Sequence, residues 1–226
     1  MCYPFLCFDA DHTLYNFVDA EQESINAAFA DFGYPFNPEY FPLYHRLNME
    51  VWHQYALGQF PQSRIESLRM ERLLAHLGYS LDPQTFSDVF LAHMARLDKP
   101  EPHAVETLRT LSAEHTIAVL TNGLTLLQRP RMEQAAFKPY IHHHIIAQEL
   151  GVSKPHAEYF AKAMEIIGCE DPGTALMIGD SLSSDIGGAL NFGMDACWYN
   201  PHGLENTSPH KPTYEIRDLS KLLAIV

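Results

Sequence analysis

The chain has 226 residues, of which 46% are hydrophobic and 19% charged, a balance that supplies one large domain or a core carrying a smaller insertion. Its formal net charge of -13 excludes binding to nucleic-acid polymers or anionic membranes through bulk electrostatics. An anionic small molecule can still bind such a protein, but only where a metal ion, a lysine or a helix N-terminus supplies local positive charge.

Five short apolar runs lack alternation and end at polar or turn residues, which predicts strands buried on both faces of a sheet. The first is Tyr3 to Phe8. Between Phe17 and Asp98 no strand signal follows, only four helical patterns. Ser24 to Phe32 carries Ile25, Ala28, Phe29 and Phe32 at helical spacing. Pro38, Pro61 and Asp82 stand where the next three helices begin, and Gly33, Gly58 and Gly78 where helices end. An insertion of this length is too big for a crossover and reads as a separate small bundle, residues 17–98. Arg69 and Arg72 are expected on a solvated helix face of it, and Trp52, Tyr55 and Phe60 in its interior. The Pro-rich segment Lys99 to His103 marks the return to a core made of residues 1–16 and 99–226.

Helical stretches and strands then alternate. A helix over Ala104 to Ser112 precedes the strand Thr116 to Leu120, and the strand His144 to Ala147 precedes a helix over Tyr159 to Ile167. The strands Ala175 to Ile178 and Ala196 to Tyr199 follow, with a short edge strand at Tyr214 to Ile216 and a last helix at Leu219 to Ala224. This order predicts an α/β fold, a doubly wound parallel sheet of Rossmann-like type with an inserted helical-bundle cap. The run His142, His143, His144 is read as surface or strand-start residues, because consecutive strand positions face opposite ways and cannot share a metal. Cys2, Cys7, Cys169 and Cys197 lack C-x-x-C spacing and lie in apolar stretches, so they are expected as buried thiols in a reducing compartment. Acidic residues come too early at the N-terminus for a signal peptide, and no apolar run is long enough to span a bilayer. A soluble cytoplasmic protein, monomeric or weakly dimeric, is expected.

Ligand sites in parallel sheets lie beyond the carboxyl ends of the strands. The first predicted strand runs into Asp9-Ala10-Asp11-His12-Thr13, the second into Thr121-Asn122-Gly123. Gly151-Val152-Ser153-Lys154-Pro155 follows the third, and Gly179-Asp180-Ser181 the fourth, with Asp185 just beyond. Each piece alone has a plainer reading: an Asp after a strand is commonly a turn former, Thr-Asn-Gly is a good turn, and Ser183 or Ser184 can cap a helix. Independent turns would not, however, need this ordered set of residue types within one α/β frame.

The set Asp-x-Asp-x-Thr, Thr-Asn-Gly, Lys-Pro and Gly-Asp with a following Asp resembles the haloacid dehalogenase superfamily of phosphohydrolases. The helical insertion after the first strand resembles that superfamily's cap. Phe8 to Phe17, Thr121 to Leu127, Gly151 to Pro155 and Met177 to Gly188 are more narrowly similar to the bacterial house-cleaning pyrimidine 5′-nucleotidases. His12 is a departure, standing where those enzymes usually carry Glu; its side chain is expected to point away from the site. The resemblance implies a magnesium ion held by Asp9 and Asp180 through carboxylates and by Asp11 through its backbone carbonyl, with Asp185 acting through a bound water or by orienting Lys154. It implies Asp9 as the nucleophile that forms an aspartyl-phosphate, and Asp11 as the acid and base. Thr121 by its hydroxyl, Asn122 by its backbone amide and Lys154 by its charge would bind the phosphoryl oxygens, while Thr13 would shape the turn by hydrogen bonding. The implied partner is a small phosphate monoester, a pyrimidine nucleotide first, with selection falling to the cap. A sugar phosphate or phosphoglycolate phosphatase shares every core residue and remains open. A haloacid dehalogenase has no use for Asp11 as a proton donor, and a non-catalytic binding member would be expected to lose one of Asp9, Asp11, Lys154 or Asp180.

Overall fold

A computed structural model describes residues 3–226; the expectation for Cys2 lies outside them. The strands are β1 (Phe5–Phe8), β2 (Thr116–Thr121), β3 (His143–Ile146), β4 (Ala175–Gly179), β5 (Asp195–Tyr199) and β6 (Tyr214–Ile216). All pair in parallel, in the order β3-β2-β1-β4-β5-β6. β1 starts two residues later than expected. Pro4 has no N–H to give a ladder, although its carbonyl still accepts from the Thr116 N–H at 2.8 Å.

Between β1 and β2 the chain forms α1 (Phe17–Asp31), α2 (Tyr40–Ala56), α3 (Ile65–Leu77) and α4 (Pro83–Arg96), and then α5 (Ala104–Leu111). After β2 come α6 (Thr125–Gln134), α7 (Ala147–Leu150), α8 (Ala157–Ile167) and α9 (Gly188–Phe192). The expected last helix, Leu219–Ala224, is 3-10 and not α, the tighter turn being common in short pieces.

Residue alternation along the strands sorts the core into two layers. Leu6, Phe8, Ile117, Val119, Leu176, Ile178 and Cys197 face one way, against Leu108 of α5, Phe137 and Leu222. Cys7, Ala118, Leu120, Ile145, Met177 and Trp198 face the other, against Tyr159, Phe160 and Met164 of α8 and Ala189 of α9. A sheet covered on both faces is what the continuous apolar runs require. Cys7, Cys169 and Cys197 are buried free thiols, as their apolar surroundings indicate. Among the described residues no helix is long and apolar enough to cross a membrane.

The chain divides into two compact units, Met1–Phe17 with Asp98–Val226, and Val18–Leu97. The second unit is helical. At its centre the Phe29 ring lies 3.9 Å from that of Tyr40 and 4.6 Å from that of Phe86. The expectation of a solvated Arg69 is overturned: it is 3% exposed, its Nη1 donates to Tyr44 Oη at 3.2 Å and Asn48 Oδ1 at 3.3 Å, and its guanidinium lies over Phe90. The reason is Glu21, a carboxylate buried inside the same unit, which accepts from Tyr44 Oη at 3.2 Å and Asn48 Nδ2 at 2.9 Å. A buried anion needs positive charge close by: His45 Nδ1 lies 3.2 Å from Glu21 Oε2, which raises the His45 pKa, and Arg69 adds its charge across the shared Tyr44 and Asn48. Arg72 is half-buried and donates to Gln54. Trp52, Tyr55 and Phe60 are also half-buried and not interior; Trp52 and Tyr55 lie near the end of α2 and Phe60 in the loop beyond it.

Candidate active site

The topology fixes where the polar residues converge. β1 lies between β2 and β4, and successive connections run outward from it in both directions, so the switch point falls between β1 and β4. Asp9 leaves β1 there, its N–H donating to the Ile178 carbonyl of β4 at 2.8 Å. Asp180 leaves β4 beside it, its backbone carbonyl accepting from the Trp198 indole at 2.9 Å.

Lys154, 3% exposed, spends its three ammonium protons on three acceptors. Its Nζ lies 2.5 Å from Asp9 Oδ1, 2.7 Å from Asp185 Oδ1 and 2.7 Å from the Leu120 carbonyl. The loop that carries it is pinned by Asn122, whose Oδ1 accepts from the Lys154 N–H at 3.0 Å and whose Nδ2 donates to the Lys154 carbonyl at 2.9 Å. The Thr121 hydroxyl accepts from the Gly123 N–H at 3.0 Å, which leaves its own proton free to donate. Asp185 sits in a π-helical turn, Leu182–Gly187, and accepts from the Ser181 N–H at 3.1 Å. Such turns recur at functional sites. Gly179 makes room for it: a Cβ there would stand 2.4 Å from Asp185 Oδ2 and 2.6 Å from its Cβ.

Electrostatics follow from the crowding. Burial pushes the Asp9 carboxyl up to about 7, Asp185 and Asp11 adding to the shift and Lys154 opposing it. Burial, with Asp9 and Asp185 nearby, also holds Asp180 well above the ordinary carboxylate range. For Lys154 burial disfavours the charge, but Asp185 and Asp9 outweigh it and keep the ammonium protonated. Carboxylate oxygens of Asp9, Asp180 and Asp185 all lie within 4.8 Å of one another. Three carboxylates against one ammonium leave a formal charge of -2, which a divalent cation would neutralise. An all-oxygen donor set fits a hard ion such as magnesium.

Asp11 does not add its carboxylate to that cluster. Its Oδ1 accepts from Arg131 Nη1 at 2.7 Å and its Oδ2 from Gln128 Nε2 at 2.7 Å. Nothing in the motifs of the sequence marks Gln128 or Arg131. Both lie on α6, whose buried positions are Leu127, Gln128, Arg131 and Met132. Two polar residues at the buried spacing of a short helix were the available signal.

Thr13 does not shape the turn by hydrogen bonding: its buried hydroxyl has no partner, and the turn is closed by the Leu14 and Tyr15 N–H groups on the Ala10 carbonyl at 2.9 and 3.0 Å. His12 takes a left-handed backbone, φ 63°, and packs its ring against Phe17 at 5.2 Å. His142 accepts from the Ile117 N–H and His143 opens β3. Burial, with Arg129 close by, lowers His144 to about 4.

Residues 5–193 match the family of haloacid dehalogenase-like hydrolases. The pyrimidine 5′-nucleotidase PynA of Streptococcus pneumoniae is 32% identical over 99% of this chain and 94% of its own length. The pyrimidine 5′-nucleotidase YjjG of Escherichia coli is 31% identical over 98% of this chain and 97% of its own. The crystal structure of the HAD-hydrolase YfnB of Bacillus subtilis, bound to magnesium, superposes with a TM-score of 0.93 at 28% identity, covering 100% of this chain and 99% of that one. The parallel sheet, the four motif loops gathered at its carboxyl edge and these matches together place the chain among the haloacid dehalogenase-like hydrolases.

Proposed function

We propose that this hydrolase is a metal-dependent phosphomonoesterase acting through an aspartyl-phosphate on Asp9, and a 5′-nucleotidase for pyrimidine nucleoside monophosphates. The observation that carries the chemistry is the carboxylate of Asp9, held at the switch point by a buried lysine with two further carboxylates beside it. Asp9 and Asp180 through carboxylates and Asp11 through its backbone carbonyl would hold magnesium, which when bound offsets the repulsion between an anionic phosphoryl group and an anionic nucleophile.

The chain's own residues perform the steps. Lys154, immobilised by its three acceptors, orients Asp9 and stands where negative charge gathers. The Thr121 hydroxyl and the Asn122 N–H bind phosphoryl oxygens. Asp9 attacks phosphorus and the bond to the leaving alcohol breaks, Asp11 giving that oxygen its proton. Asp11 then takes a proton from water as the water oxygen attacks the same phosphorus, and the bond to Asp9 breaks to release phosphate. Asp185 acts by orienting Lys154, from 2.7 Å. A dehalogenase would leave Asp11 without this work.

These residues recognise only a phosphoryl group, so the choice among leaving alcohols falls to the inserted helical unit. The nucleotidase reading is supported by two relatives of that name matched over nearly their full length. The test is kcat/KM across uridine, thymidine, adenosine and guanosine monophosphates beside phosphoglycolate and hexose phosphates, with Asp9→Asn as the reference for no chemistry. Pyrimidine nucleotides are expected to lead, with purines about tenfold or more behind. A sugar phosphate or phosphoglycolate at the head of the ranking sinks the nucleotidase reading. Turnover by a folded Asp9→Asn protein sinks the mechanism.

A further inference from the structure

Asp11 is held in a way that its position in the sequence does not explain. It stands at the start of a turn, 21% exposed, near the negative charge of Asp9. Left alone, a short side chain there would swing toward water. Instead each oxygen accepts one bond, from Arg131 Nη1 and from Gln128 Nε2, both at 2.7 Å. Each oxygen therefore keeps a further lone pair for the open side, where protons come and go.

The two donors are costly to keep. Gln128 is fully buried and Arg131 is 1% exposed. Gln128 Oε1 and Arg131 Nε and Nη2 find no hydrogen-bond partner. The guanidinium is otherwise covered by aromatic faces, Tyr15 at 3.5 Å and Phe17 at 5.4 Å. For packing alone, a methionine and a leucine would fill these positions of α6 without burying a charge and an amide. Gly123 belongs to the same arrangement. Its φ is ordinary, so no turn demands a glycine. A Cβ at this position would instead stand 2.4 Å from Gln128 Nε2, the atom that donates to Asp11.

We propose that Gln128 and Arg131 are positioning residues that fix the Asp11 carboxylate for proton transfer to the leaving alcohol and from water, and that Gly123 is glycine to leave room for the Gln128 amide. The proposal rests on the reading of Asp11 as acid and base. Charge-assisted bonds to both oxygens define the direction of the carboxylate more tightly than either alone, and proton transfer demands that direction.

The test compares two substrates, uridine 5′-monophosphate, whose alkoxide leaves poorly without a proton, and 4-nitrophenyl phosphate, whose phenolate leaves readily. Gln128→Leu, Arg131→Met and Gly123→Ala are each expected to lower kcat/KM, which reports the step that expels the alcohol, at least about tenfold more for the nucleotide than for the aryl ester, while hydrolysis of the aspartyl-phosphate, common to both, slows equally. Arg131→Lys should restore part of the difference. In an Asp11→Asn background the same three substitutions should cost almost nothing further, because the group they position is gone. Equal losses in kcat/KM on the two substrates, or full additional losses on Asp11→Asn, would overturn the proposal. Should Arg131→Met fail to fold, Gly123→Ala decides, since it leaves every residue of α6 in place. A live Asp9→Asn enzyme would condemn the mechanism itself. A dead Asp9→Asn with a leaving-group-selective Asp11→Asn, but unselective Gln128→Leu and Gly123→Ala, would condemn only this inference.

Discussion

Two glycines at the carboxyl edge show how a residue without a side chain can direct residues that have them. Gly123 yields space to Gln128, a flexible chain end that can move. Gly179 yields space to Asp185, and there the contact includes the Asp185 Cβ, which cannot move without its backbone. Gly179→Ala should therefore displace Asp185 from Lys154 and loosen the grip of the lysine on Asp9. A misplacement of this kind, on the order of 1 Å, is expected to cut kcat about 100-fold while the protein remains folded. Steady-state kinetics beside a thermal melt check it; wild-type turnover in Gly179→Ala would mean that the position of Asp185 does not matter to Asp9.

At the scale of elements, the helical unit is organised around charge as well as apolar packing. Arg69 of α3 and Glu21 of α1 are buried together with Tyr44 and Asn48 of α2, so three helices meet on one polar cluster. Arg69→Ala leaves Glu21 its direct partner His45, at 3.2 Å, but strips Tyr44 Oη and Asn48 Oδ1 of a charged donor, and it is expected to destabilise the protein by about 2 kcal/mol. Arg64, one turn earlier, pairs with Glu71 at 3.1 Å while both remain roughly half exposed. Screening by water makes that pair weak, and Arg64→Ala should cost less than about 1 kcal/mol. Urea unfolding of the two variants distinguishes the cases, and equal midpoints would refute the buried network as a source of stability.

For the whole molecule the controlling quantity is charge held against its own repulsion. A chain of formal charge -13 gathers Asp9, Asp180 and Asp185 within 4.8 Å with one lysine to balance them. A divalent ion that binds the folded state and not the unfolded one stabilises by mass action, about 2.7 kcal/mol at one hundred times its Kd. Magnesium is accordingly expected to raise Tm, and Asp180→Asn to remove most of that rise. A wild-type Tm indifferent to millimolar magnesium would count against the metal site.

The sequence alone determined the parallel α/β sheet and the four loops that meet at its edge. Strand runs such as Ala175 to Ile178 are apolar throughout because both faces are covered, and short-range pattern records that directly. The positions of Asp9, Lys154 and Asp180 were legible for a related reason: strand ends in such a sheet all point to one edge, so residues far apart in the chain are brought together by topology. What only the tertiary structure decided is which polar side chains are buried and what they hold. Arg69 looked solvated because a helix face has no knowledge of Glu21, forty-eight residues earlier in the chain. Gln128 and Arg131 looked like ordinary helix residues because the carboxylate they hold lies 117 and 120 residues away. Apolar burial follows a local period along the chain, whereas the pairing of buried polar groups is a matter of contacts between distant segments, which no local pattern encodes.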